Sequence, residues 1–190
     1  MSEHLSPQQT HWLEGVVFTI GHSTLPIERF IFVLKTYGIE HLVDIRTMPR
    51  SRHNPQFNGP DLAVSLAAEH IEYTHMQALG GLRHARKDSV NTGWRNTSFR
   101  GYADYMQTEA FQNALATLIQ MSRQKRVVIM CAEAVPWRCH RSLVADALNV
   151  RAVPVVEIFS ESSSRMHKLT AFAQLDGVQV TYPPAQAALL

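Results

Sequence analysis

Apolar residues gather into five short runs separated by stretches of helical spacing, and the segment from Arg126 to Leu148 shows this most clearly. Val127 to Cys131 has no polar break, which suits a strand buried on both faces of a parallel sheet. Leu143, Ala147 and Leu148 then share one side of a helical period and predict a helix packed on that sheet. Val16 to Ile20 predicts a first strand. Ile27, Phe30, Ile31 and Leu34 form the stripe of a following helix, capped by Ser23 or Thr24, with Pro26 in its first turn and Gly38 at its end. His41 to Ile45 predicts a second strand, Gly59-Pro60 opens a helix carrying Leu62 and Leu66, and Ile71 to His75 is a third strand, short and more polar. Thr108 caps a helix with Phe111, Leu115 and Leu118 on its stripe. Val153 to Phe159 gives a fifth strand, Ser160 to Ser164 a polar link, and F-A-Q-L-D-G-V-Q-V-T-Y a β-hairpin with an Asp-Gly turn.

Strand and helix alternate, so the expected architecture is a three-layer α/β fold. Its mainly parallel sheet has about five strands with helices on both faces, and a C-terminal hairpin follows. Residues 1–14 are polar and expected to be flexible, 15–160 to form a single α/β domain, and 161–190 a tail with the hairpin. Leu82 to Gln107 breaks the alternation as a long irregular insert, although Y-A-D-Y-M within it has helical character. Inserts of that length are functional or disordered, and Trp94, Phe99, Tyr102 and Tyr105 argue against disorder. In a parallel sheet every strand ends at one edge, where ligands bind. The segments that follow strands therefore converge: His22 and Ser23, Asp44 to Asn58, Gly80 to Arg100, and Cys131 to Arg141.

Composition narrows the class. Hydrophobic residues make up 45% and charged residues 18% of the 190, which describes a compact globule rather than a disordered chain. No apolar run approaches the roughly 18 residues of a membrane span, and the N-terminus lacks the order of a signal peptide, so the expected compartment is the cytoplasm. Two cysteines are no disulfide framework. The net charge of +2 hides an asymmetry: the segments 46–58, 83–100 and 131–141 hold ten of the 18 Lys and Arg but two of the 16 acids. A solvated surface mixes its signs, so this bias points to an anionic partner at the sheet edge.

Four groups of residues carry candidate chemistry. Arg46, Arg50 and Arg52, with Asn54, Asn58, Arg138 and Arg141, supply planar donors suited to phosphate or carboxylate. Cys131, in a strand-to-helix loop beside arginines, is a candidate nucleophile, with Glu133, Asp44 and His22 as acid/base candidates; Asp44 most simply orients Arg46. A phosphatase-type loop is a poor match, because six residues separate Cys131 from Arg138 where such loops place five, and Glu133 repels phosphate. Cys131, Cys139 and His140 offer soft ligands for a divalent metal, although the spacing is not that of a zinc finger or ribbon. Trp94, Arg95, Phe99, Arg100 and Tyr102 interleave rings and charge as nucleic-acid surfaces do, or simply staple a long loop to the body.

The strand-end segments also carry a family resemblance. G-H-S, V-D-I-R-T-M-P-R-S-R-H-N-P-Q-F-N, L-G-G, N-T-G-W-R-N-T-S-F-R-G-Y-A-D-Y-M and C-A-E-A-V-P-W-R-C-H-R, in that order over roughly residues 16–160, resemble the bacterial domain of unknown function 488 (DUF488). The resemblance implies a Rossmann-like α/β fold and assigns no residue a catalytic role. The leading expectation is therefore a protein that binds or processes a phosphate-bearing ligand, a nucleotide or nucleic acid, as a hydrolase or transferase in its enzymatic form. The alternatives are a non-catalytic nucleic-acid-binding module and a metal or thiol redox site on Cys131, Cys139 and His140.

Overall fold

The computed structural model describes residues 15–184; the stretch 1–14, expected to be flexible, and residues 185–190 lie outside the described residues. In chain order the elements are β1 (Val17–Gly21), α1 (Ile27–Thr36), β2 (His41–Asp44), α2 (Gly59–Ala67), β3 (Glu72–His75), α3 (Thr97–Tyr105) and α4 (Glu109–Ser122). They continue with β4 (Val127–Cys131), α5 (Arg141–Asn149), β5 (Val155–Ser160), β6 (Ser163–Met166), β7 (Gln174–Asp176) and β8 (Gln179–Thr181).

The main sheet has six strands in the order β3-β2-β4-β1-β5-β6, and β7 and β8 form a separate hairpin. Strands β1 to β5 run parallel, while β6 pairs antiparallel with β5. Alternate residues feed two cores. Val127 and Ile129 join α4 and α5 on one face, and Val128 and Met130 join α1 and α2 on the other, as the period of two requires. The fold is thus mixed α/β, with helices on both faces of a mostly parallel sheet. The polar strands β3 and β6 lie at the two edges of the sheet. Among the described residues, no helix is long and apolar enough to cross a membrane.

Three local expectations need correction. Ser160 to Ser164 is not merely a polar link, since Ser163 and Ser164 begin β6, with Ser164 buried and Arg165 paired to Glu157. Neither Ser23 nor Thr24 caps α1; Pro26 holds the N-cap position. The reason is that Ser23, at φ 48°, still donates its backbone N–H to Ala132 (2.9 Å), so the chain leaves the sheet too late for either side chain to reach the helix. The insert is not irregular throughout: Asn96 caps α3, accepting from the Ser98 N–H. Asp104 on α3 then pins the coil before it, accepting from the Arg86 N–H (2.8 Å), Ser89 Oγ (2.6 Å) and Asn91 Nδ2 (2.7 Å). Gly101 faces the same coil, and a Cβ there would lie 2.3 Å from the Arg83 carbonyl oxygen.

Candidate functional site

Strand β4 lies between β2 and β1, and the connections leave these neighbours on opposite faces: α1 and α2 on one, α5 on the other. Such a divergence opens a crevice at the C-terminal ends of the strands. A cleft of about 910 Å³ occupies that position. His22 from β1, Arg46, Arg50, Arg52 and Asn58 from the loop after β2, Gly81 after β3, and Cys131, Ala132 and His140 from the β4–α5 loop all line it. Motifs more than 100 residues apart in sequence meet there.

One wall is built on Asp44 and Arg46. The buried Asp44 carboxylate accepts from the Arg46 N–H (3.0 Å), from Arg46 Nε and Nη2, and from Tyr73 Oη (2.9 Å). Arg46 spends its remaining reach on the Phe57 carbonyl (2.7 Å) and on His22 Nε2 (3.3 Å). His22 stacks on Phe57 at 4.1 Å and donates from Nδ1 to the Ser23 carbonyl (2.8 Å), so Nε2 is the acceptor facing Arg46. Burial pushes His22 down to about 4, and the nearby Arg46 charge adds to that. It is a neutral imidazole at physiological pH.

The rim differs from the wall. Arg50 and Arg52 are exposed, line the cleft, and have no side-chain partner among the described residues. Asn58 holds their loop closed by accepting from the Ser51 N–H (2.9 Å). Among the described residues no carboxylate lines the cleft, and three arginines and two histidines do.

The floor holds the thiols. Cys131 Sγ, Cys139 Sγ and a ring nitrogen of His140 lie within 4.8 Å of one another. His140 Nε2 donates to the Ile45 carbonyl (3.0 Å), which turns Nδ1 toward Cys139 Sγ at 3.7 Å. Of the two thiols Cys139 ionises first. Its sulphur accepts from the Cys131 thiol, and with the Arg141 charge this outweighs burial and holds it well below the usual range, while Cys131 is raised. Arg141 is buried beneath the loop, donating to Thr19 Oγ1 (2.8 Å) and to the Glu133 carbonyl (2.5 Å), with Nε unpartnered and no carboxylate beside it among the described residues. Gly21 makes this possible, because any Cβ there would collide with the Glu133 carbonyl oxygen.

The structure separates several residues that sequence grouped together. Arg138 and Glu133 are exposed and outside the cleft lining, and half-buried Asn54 is outside it too; Arg141 braces the loop from behind. Asp44 is saturated by donors. In the insert, Trp94 packs on Phe99 (4.8 Å), Phe172 (4.9 Å) and Tyr182 (5.5 Å), Tyr102 is buried with its hydroxyl on the Leu79 carbonyl, and Arg100 bonds the Trp94 carbonyl. Those rings staple the insert to the body, and Arg95 stays exposed at the surface. Sequence reasoning did not single out Thr47, Ser51, Leu82 and Gly81 as cleft residues; Gly81 packs on the His140 ring, and its signals in the sequence are its place after a strand and the L-G-G motif.

No curated protein and no solved structure matches the chain. The family model described as "Domain of unknown function DUF488" matches residues 26–148, from the start of α1 through the cysteine loop and most of α5, and the chain belongs to that family.

Proposed function

We propose that the cleft binds a phosphate-bearing ligand of about nucleotide size. The observation that carries this reading is the lining: among the described residues it holds three arginines and no carboxylate, with Arg50 and Arg52 unpartnered at the rim. Buried Arg46, held by Asp44, the Phe57 carbonyl and His22, gives the cleft a rigid wall, while the exposed pair supplies the attraction for an anion. The volume suits a small ligand better than a polymer. The packed rings of the insert supply no stacking platform, which weighs against a nucleic-acid-binding module. In its enzymatic form the reading is a hydrolase or transferase on a nucleotide-like substrate.

The test is thermal unfolding with mononucleotides, sugar phosphates, inorganic phosphate and short single-stranded oligonucleotides. A ligand specific to the folded state stabilises it by about 2.7 kcal/mol at a hundredfold excess over Kd. A mononucleotide or sugar phosphate should raise Tm, and the rise should vanish in Arg50→Ala/Arg52→Ala, whose unliganded Tm stays close to that of the parent. A rise with oligonucleotides alone, or none at all, removes the small-ligand reading.

A further inference from the structure

The floor of the cleft makes a demand that anion binding leaves unexplained: two buried cysteines and a histidine turn their donor atoms toward one point. We propose that Cys131 Sγ, Cys139 Sγ and His140 Nδ1 form a binding site for a thiophilic divalent metal such as zinc, with its open side on the cleft.

The distances suit such a site. Zinc–sulphur bonds of about 2.3 Å and zinc–nitrogen bonds of about 2.0 Å place tetrahedral ligand atoms roughly 3.4–3.8 Å apart. Cys139 Sγ and His140 Nδ1 stand 3.7 Å apart, and all three donor atoms lie within 4.8 Å. His140 is also prepared as ligating histidines are. Its Nε2–H is fixed on the Ile45 carbonyl, so in the neutral ring Nδ1 carries the lone pair, and the ring is held between that carbonyl, Gly81 and Tyr102. The three donors need no long-range movement to close, because Cys139 and His140 are adjacent and Cys131 ends the neighbouring strand.

The donor set selects the ion. Two sulphurs and an imidazole, with no carboxylate in the cleft lining among the described residues, suit zinc and its soft relatives and offer nothing to magnesium or calcium. Three protein ligands leave a fourth position. Cys131 and His140 line the cleft while Cys139 sits behind them, so that position faces the space between the arginines. A three-ligand site with an open position is the arrangement that activates water or holds a substrate oxygen. Whether the arginine-bound anion reaches it rests on the function proposed above; the metal site itself does not.

Cysteine ligates as the thiolate, so metal binding displaces thiol protons and affinity rises with pH. The test uses the full chain, stripped of metal and kept reduced, because oxidation of either thiol removes a donor. Titration with cobalt(II) should give thiolate-to-cobalt charge transfer and the intense visible bands of tetrahedral cobalt, saturating at one ion per chain and displaced by zinc. Cys131→Ser and Cys139→Ser should each weaken binding at least tenfold. Arg50→Ala should leave the titration unchanged, so failure of anion binding and failure of the metal site show up in different columns. X-ray absorption on the zinc-loaded parent protein needs no variant and should find two sulphur scatterers, with the remainder nitrogen or oxygen. A cobalt spectrum of the weak octahedral type, or a zinc shell without sulphur, overturns the proposal.

Discussion

Asp44 has its lone pairs occupied. Two Arg46 nitrogens and the Arg46 backbone N–H, with the Tyr73 hydroxyl, saturate a carboxylate that offers about four acceptor sites. Its role is to hold one buried guanidinium in place. Removing one partner of a buried ion pair leaves the other charge uncompensated, which costs about 3–5 kcal/mol, whereas losing a single hydrogen bond costs about 1 kcal/mol. Asp44→Ala should therefore destabilise the protein by about 3–5 kcal/mol in urea unfolding, and Tyr73→Phe by about 1 kcal/mol. Equal, small losses from both would show that Arg46 does not depend on the carboxylate. At this scale the sequence located residues better than it assigned them. Arg50 and Arg141 look alike as letters near strand ends, yet one is exposed at the rim and the other is enclosed under a loop. What distinguishes them is the missing Cβ of Gly21, which lets the Glu133 carbonyl close over Arg141. That is a contact between segments more than 100 residues apart, and residue spacing does not encode it.

Elements were legible where periodicity is strong and obscure where polar contacts do the folding. Strands β1, β2, β4 and β5 and helices α1, α2, α4 and α5 announce themselves because each buries an apolar face, and among the parallel strands only the short polar β3, whose residues are exposed or half-buried, does not. Strand β6 does not: S-S-R-M has no apolar alternation, and it is held through Glu157–Arg165 and backbone pairing with β5. The insert was missed in part for the same reason. Its order depends on Asp104, a buried carboxylate serving three donors across the coil from Arg86 to Asn91, and on Asn91 Oδ1, which accepts from the Tyr182 N–H (2.8 Å). Asp104→Ala strands those donors, at about 1–3 kcal/mol for an unsatisfied buried group. The loss should be concentrated in the insert. Amides of residues 84–93 should exchange faster and trypsin should cut at Arg86 or Lys87, while protection in β1 and β4 stays close to the parent. Uniform loss of protection across the sheet would mean that the insert and core unfold as one unit.

Across the whole molecule, two buried histidines set opposite slopes for stability against pH. His167 lies between Glu157 (2.8 Å) and Asp146 (2.8 Å), and Asp146 also takes the Tyr182 hydroxyl (2.7 Å) and the Thr170 N–H, so this cluster ties α5, β5 and the C-terminal segment together. Burial alone would lower His167, but the two carboxylates outweigh it and hold it up to about 9. Its contribution is therefore complete below the unfolded value near 6.5 and is lost as pH rises through about 9. His22 is the reverse case. Burial holds it down to about 4, so the unfolded chain binds the extra proton between 6.5 and 4, and stability falls as pH drops through that window. Each shift corresponds to up to about 3 kcal/mol. Stability should peak near pH 6.5 and decline on both sides, with carboxylates such as Glu157 deepening the acid limb once they protonate. Urea unfolding from pH 4 to 10 reads both limbs. His167→Gln should flatten the decline between 6.5 and 9 and leave the acid side alone, and His22→Gln should do the converse. Both variants will have lower absolute stability, so the slope and not the midpoint is the measure. An alkaline limb that survives in His167→Gln would mean that the cluster is not what couples the C-terminal segment to protonation, and an acid limb that survives in His22→Gln would assign that side to His41, which burial also lowers, and to the carboxylates.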